Sequence, residues 1–589
     1  MRRDGKRETG NGRRKRRTAV AFLLALLAAP VFADSSDREE YKKTFEKTVA
    51  LRSGQKLKIE HSNGRVQIRT HREPQVKISA VIRVSSSDRD DARRFADEIQ
   101  IQVEETPGGV IVTTKYPERE WRISGKRFRI SGSFESFSVD YDIVMPETAP
   151  LEVRNKFGNV DVQGLKAASD LKNSNGDVQF RDGKGAQRLE NSFGKVELAG
   201  NHGNATIVNS NGNVTVADLK GELELSNRFG SLSVARVGAR SRINNSNGNV
   251  ELFDLHGPAD VTSSFGSVTV KSVAGDLAAK ASNGSLSVFN VEGNADLEGS
   301  FGAITFSDVK KRVTCTGTNA KVSGVRAGEA VSIRTTFGAV DVLDVAGVDI
   351  ENSNGKIVVR GVRGGAMLRT SFGAIEAYDV RGNVTAVNSN AAVTLNDVGG
   401  AVDVRTGFGK VSLTEIHGGA KVISENAGVL LSDIGGPASV KTSFGALDAS
   451  KVRGSLTAEN SNGAIRASDI QGSVNARTSF APVAIDGVRE SVDVVNQNGT
   501  VEVTGLPAGC TRLAIKTSFA PVRVYLPEGG GYTVSARTSF GKISTEIPVG
   551  VSGSVGGESL SGKIGDGRCE LTVTNTNGNI DLLRGTGRK

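Results

Sequence analysis

The sequence predicts an all-β fold: a single-stranded β-solenoid, or β-helix, of about 18 residues per coil behind an N-terminal α+β cap. Three observations predict it. Phenylalanine stands at Phe157, Phe193, Phe229, Phe265, Phe301, Phe337, Phe372, Phe408, Phe444, Phe480 and Phe519, almost all 35 or 36 positions apart. Asparagine stands midway, at Asn175, Asn211, Asn247, Asn283, Asn319, Asn354, Asn390, Asn426, Asn462 and Asn498. Within each unit the apolar residues follow a period of two, as in Val214, Val216 and then Leu223, Leu225. A fixed period near 20 residues marks a stacked array, and period-two runs between glycines mark half-buried strands. One unit has room for two or three short strands and cannot bury its own apolar face. Stacked, each strand pairs in parallel with its equivalent about 4.8 Å away, and the inward columns merge into one core.

Each element follows in order. Residues 1–33 read as a signal peptide: Arg13-Arg-Lys-Arg-Arg17, an apolar run from Ala19 to Ala29, and Val31-Phe-Ala33 before Asp34. The chain is therefore expected to be exported to the periplasm, the outer surface or the extracellular space, with no transmembrane segment after cleavage. The alternative is an inner-membrane anchor made by an uncleaved 19–33. The leader carries nine Lys/Arg and two Asp/Glu, so the formal charge of +10 falls to +3 without it. So small a charge gives weak long-range steering and argues against a nucleic-acid partner. Residues 34–50 are charged and expected as a loose or short helical lead-in.

Residues 51–150 read as a distinct cap, of the kind solenoid ends need to cover apolar core and unpaired strand edges. His61-Ser-Asn-Gly64 with Val66 and Ile68 has the look of an early coil. Val76 to Val84 is a strand, Asp88 to Ile99 a short helix, and Ile99–Val103 with Val110–Thr114 a hairpin around Pro107-Gly-Gly109. The repeat array spans 151–583 and 584–589 form a polar tail. Beyond Asn498 the period loosens, with Phe519 and Phe540 each 21 residues after the preceding marker.

The stretch Ser62-Asn-Gly-x-Val-x-Ile68, the strand–helix–strand insert, Tyr141-Asp-Ile-Val-Met-Pro146 and Leu151-Glu-Val-x-Asn-x-Phe-Gly-Asn-Val-Asp-Val-x-Gly-Leu165 together carry a family likeness. Across nearly all of 51–583 the chain resembles the bacterial "putative adhesin" family of β-strand repeats of unknown function. The resemblance implies a β-helical, envelope-associated protein and brings no catalytic residues with it. This chain departs from the family in the length and regularity of its array.

Chemistry is sparse. Phe193, Asn211, Phe229, Asn247 and Phe265 are expected to form a structural ladder pointing inward at a corner, amide between rings about 9.6 Å apart. The glycine after each marker is replaced by Ala320, Ala391, Ala427, Ala481 and Ala520, which favours close packing over a demand for positive φ. A second corner carries acids at Asp182, Asp218, Asp254, Asp308, Asp344, Asp379, Asp397, Glu415, Asp433 and Asp469. Four successive coils, through Asp379, Asp397, Glu415 and Asp433, form a candidate cation strip, against an Asx-turn reading of the same column. The five histidines have no partner at metal-ligand spacing, and no nucleophile elbow, zinc motif or phosphate loop is present; no cofactor is expected. Lys115 to Arg129 is a basic-aromatic run on the cap. Cys315 falls in the inward Leu225 column. Cys510 and Cys569 are placed about three coils, roughly 14 Å, apart by linear counting, so no disulfide is expected.

The function expected is a secreted or envelope-associated, non-catalytic, adhesin-like scaffold binding a partner, such as a cell-surface polysaccharide or an envelope protein, along its lateral surface. The alternatives are a β-helical polysaccharide-degrading enzyme and a structural polymer subunit. An enzyme of that kind builds its cleft on long loops, and the array is nearly free of insertions between 157 and 498.

Overall fold

The computed structural model describes residues 39–117, 134–551 and 557–585. The proposed leader at 1–33, most of the basic-aromatic run and the tail beyond 585 lie outside them. No helix among the described residues is long and apolar enough to cross a membrane.

The fold is a parallel β-solenoid of about 21 consecutive turns with a spacing of about 18 residues, extended by further laps at each end. One lap shows how the sequence makes it. Strand Leu223–Phe229 turns its first three odd positions inward, Leu223, Leu225 and Asn227. The chain bends at Gly230 and continues as Leu232–Val237, with Leu232, Val234 and Val237 inward. Each strand pairs in parallel with its equivalents one lap before and after: Leu225 stands between Ile207 and Ile243. Backbone groups are thereby satisfied between laps, and stacked columns of Val, Leu, Ile and Ala fill the interior. Cys315 is buried in the predicted inward column, beside Leu297, and burial pushes its thiol pKa up.

Both ends depart from chain order. The predicted early coil is a true lap: Lys56–Glu60 and Val66–His71 stack on Leu151–Phe157 and Val160–Gln163. On its other side lie Gly109–Lys115 and Phe134–Pro146, which complete a further lap from later in the chain. The C-terminus mirrors this. Cys569–Thr574 and Ile580–Gly585, last in sequence, insert between the lap at Arg512–Pro527 and the lap at Tyr532–Thr545. Each outermost lap then meets an antiparallel strand, Gln75–Ser86 at one end and Ser559–Ile564 at the other. An antiparallel cover ends the parallel stack and blunts its exposed edge.

This topology overturns the expectation for the cysteines. Cys510 and Cys569 are disulfide-bonded, with Cα atoms 5.4 Å apart. Counting coils in chain order placed Cys569 three laps away; the inserted lap makes it a direct neighbour, since Leu571 pairs with Leu513.

The lead-in is also corrected. Glu39–Ala50 is a strand, antiparallel to Gln75–Ser86 along its whole length. Tyr41, Phe45 and Val49 have helical spacing, but they share one strand face with Lys43 and Lys47, which reach Asp97 and the Val103 carbonyl. The edge of a formed sheet outweighs a weak helical pattern. The helix Arg89–Glu98 forms as predicted, capped by Asp88 and burying Ala92, Phe95 and Ala96. The hairpin Gln100–Thr106 with Gly109–Lys115 forms too. Beneath it His61 is buried, its Nδ1 3.0 Å from Thr114 Oγ1, which lies 2.6 Å from the Tyr141 hydroxyl. Burial lowers the His61 pKa to about 4 and raises that of Tyr141 to about 12.

Candidate functional site

Three files of side chains run along the corners of the solenoid. The first is buried and polar. Asn155, Asn173, Asn191, Asn209, Asn227 and Asn245 stack at the bend before the positive-φ glycines, followed in later laps by Ser263, Thr335, Asn352, Thr370 and others. Asn227 Nδ2 donates to the Gly230 carbonyl and to Asn245 Oδ1, at 3.2 and 3.3 Å. These amides fill the inside of the corner and satisfy its carbonyls.

The second file lies two residues further on and corrects the ladder expectation. Phe193, Asn211, Phe229, Asn247 and Phe265 do stand in one column, each beside the next. They point outward. Twelve phenylalanines, Phe157 to Phe519 at the repeat positions plus Phe540, are between 43 % and 78 % exposed. Strict alternation would bury Phe229; the bend interrupts it, and the inner space is already taken by Asn227. The intervening asparagines lie against the wall: Asn211 Nδ2 donates to the Ser192 carbonyl of the previous lap, and Asn247, Asn390 and Asn462 do the same. Rings therefore project while amides lie flat between them.

The alternation survives the break in chain order. Phe519 and Phe540 are successive markers in sequence with no asparagine lap between them. In space the inserted lap supplies it: Asn577 N donates to the Ser518 carbonyl, and Phe540 N donates to the Thr576 carbonyl. At the other end Asn63 bridges to Phe157. Ordered along the axis, the file runs Asn63, Phe157, Asn175 and onward to Phe519, Asn577, Phe540.

The glycine reading changes with it. Gly212 and Gly230 have φ of 135° and 131°, and a Cβ on either would sit 2.0–2.1 Å from the carbonyl oxygen of the preceding glycine. Positive φ and close packing both demand glycine in these early laps. In the later laps, where alanine appears, the equivalent glycines leave the left-handed region.

The third file is the acidic corner. Asp182, Asp218, Asp254, Asp308, Asp344, Asp379, Asp397, Glu415, Asp433 and Asp469 all have φ between 51° and 59°. Arg236, Ser272, Asn290, Arg326 and Lys451 occupy the same position in other laps with the same conformation. The column is a left-handed kink that swings the next residue, such as Leu219, inward, and aspartate is among the residues that tolerate it. Arg236 and Arg326 each grip the neighbouring Asp218 and Asp308 with two hydrogen bonds, and Arg326 holds the Asp308 carboxyl down at about 2. In the predicted strip, Asp397 meets His417 Nε2 at 3.4 Å and Asp433 meets Arg453 at 3.7 Å. Among the described residues no group of three His, Cys, Asp or Glu side chains could hold a metal ion.

Fold and surface thus define a parallel β-solenoid with a length-wise file of exposed aromatic rings. No protein-family model matches the chain, and no curated protein does. Among solved structures, a "putative cell adhesion protein" from Clostridium sporogenes matches at 11 % identity, over 39 % of this chain and 99 % of that one, with a TM-score of 0.19. A likeness that slight carries no argument about this chain.

Proposed function

We propose that the chain is an exported, non-catalytic, adhesin-like scaffold that holds a partner along its lateral surface, and that the aromatic file is where it does so. The observation behind this is the file itself. A phenylalanine offers roughly 200 Å² in all, so twelve that average close to three-fifths uncovered present on the order of 1,400 Å² along one edge. Asparagines interrupt the rings, but the apolar area gathered on this one edge exceeds the few hundred Å² that soluble monomers usually leave uncovered in a patch, and larger exposures mark interaction sites. Rings repeated along a rigid rod suit an extended partner contacted at many weak points, whose strengths multiply.

The test immobilises the full chain and the variant Phe301→Ser/Phe337→Ser/Phe372→Ser, then probes both with envelope fractions, cell-surface polysaccharides and the free chain itself. Retention by the native chain and loss in the variant support the proposal. Equal retention by both, or cleavage of a polysaccharide, refutes it.

A further inference from the structure

We propose that the occupant of the aromatic file is a second copy of this chain, zipped antiparallel along its whole length. This rests on the reading of the file as a binding surface and names the partner.

The period of the file favours a second copy. A partner that seats all twelve rings in equivalent pockets repeats every two laps, about 9.6 Å. A second copy repeats at that interval by construction. A ring inserted midway between two others would lie about 4.8 Å from each, inside the 4.5–7 Å at which aromatic pairs are favourable. The flat-lying asparagines leave that midway space open, since Asn211, Asn247 and their equivalents are bonded down to the previous lap.

The register of the file favours antiparallel pairing. In space the file holds twelve asparagines and twelve phenylalanines in alternation, starting on Asn63 and ending on Phe540. Reversing such a file exchanges the two residue types. A two-fold axis between the laps of Phe337 and Asn354 therefore sets every ring of one copy over an asparagine of the other. A two-fold parallel to the solenoid axis would set ring against ring instead. Antiparallel pairing is isologous and closed, so it stops at two copies. The inserted C-terminal lap matters here: without Asn577 between Phe519 and Phe540 the file would not reverse onto itself.

Charge and area fit the same partner. The residue before each ring is mostly small and neutral, as at Ser192, Ser264, Ser300, Thr336, Ser371 and Ser443. Covering this edge buries few charges, whereas an acidic polymer or a lipid headgroup would find few cations on it. Covering a little over half of the roughly 1,400 Å² of ring surface meets the ~800 Å² per partner of a stable interface.

The experiment is sedimentation velocity on the full chain at micromolar concentration, with the Phe301→Ser/Phe337→Ser/Phe372→Ser/Phe408→Ser variant beside it. A dimer that weakens about a hundredfold or more in the variant, with an unchanged far-UV circular dichroism spectrum, is expected. Orientation is read with a short bis-maleimide: Asn354→Cys chains should cross-link to each other and Asn175→Cys chains should not, because antiparallel pairing sets Asn175 opposite Phe519. A monomeric native chain, a variant that dimerises equally well, or cross-linking through Asn175→Cys each overturns the proposal. A native chain that stays monomeric but is held by envelope material through the same rings overturns the zipper alone and leaves the scaffold reading standing.

Discussion

The buried amide file holds each corner of the solenoid, and removing one amide should loosen its own laps. Asn227 is 3 % exposed, donates to Gly230 O and Asn245 Oδ1, and accepts from Asn209 Nδ2 at 3.1 Å. In Asn227→Leu, Asn245 Oδ1 loses its donor, at a cost of about 1–3 kcal/mol for a buried acceptor left unpaired. Gly230 O keeps the Asn245 amide at 3.2 Å, and Asn209 keeps Gly212 O at 3.0 Å, so the loss stays at one acceptor. The extra methyl bulk adds about 1 kcal/mol or more of overpacking. The sum is about 2–4 kcal/mol. Asn227→Thr should cost less, because Thr335, Thr370 and Thr406 occupy the equivalent corner in later laps. A solenoid couples mainly to nearest neighbours, so the damage should stay local. Amide hydrogen exchange read lap by lap is the assay. Asn227→Leu should speed exchange about thirtyfold or more in the laps from 205 to 247 and leave those beyond 400 unchanged. Silence at those laps, or equal loss at distant ones, would refute the account of the amides as local satisfiers of the corner.

Three further outcomes follow from the same structure. Gly212→Ala should lower the yield of folded protein and expose neighbouring laps to protease, whereas Phe229→Ser should leave the stability of the monomer within about 0.5 kcal/mol, because one meets a carbonyl at 2.0 Å and the other faces outward from the single chain. Reducing Cys510–Cys569 should weaken the inserted lap by up to about 4 kcal/mol on chain-entropy grounds for a bridge spanning 59 residues, seen as new proteolysis within 529–585 while the central laps resist. His61 titrates near 4 when folded against 6.5 when exposed, so between those values the unfolded chain binds more protons. The cap should therefore lose about 3 kcal/mol as pH falls from about 6.5 to about 4, followed by tyrosine near-UV circular dichroism, and His61→Gln should flatten that slope.

Much of the architecture was legible in the order of residues. A spacing of 18, alternation within each unit, and glycine at most corners require a stacked coil, because no single unit can bury its apolar side. The Phe–Asn column, the inward Cys315 and the short helix between Asp88 and Ile99 follow from the same local rules. The direction of the column did not. Period-two counting carries a side chain inward only while the strand stays straight. At Asn227–Gly230 the chain turns, and the amide two residues earlier takes the inner space. Likewise the acidic column suggests ligands to a reader of the sequence, while its backbone shows a left-handed kink that Arg236 and Lys451 share.

The amino-acid order by itself determined the lap, the core and the alternating marker, since these depend on neighbours a fixed number of residues apart. Only the tertiary structure decided which face the rings occupy, that Asn577 lies between Phe519 and Phe540, and that Cys510 meets Cys569. Those depend on where the chain doubles back at its two ends. Covering an open parallel stack with an antiparallel strand requires such a reversal, and periodicity carries no record of it.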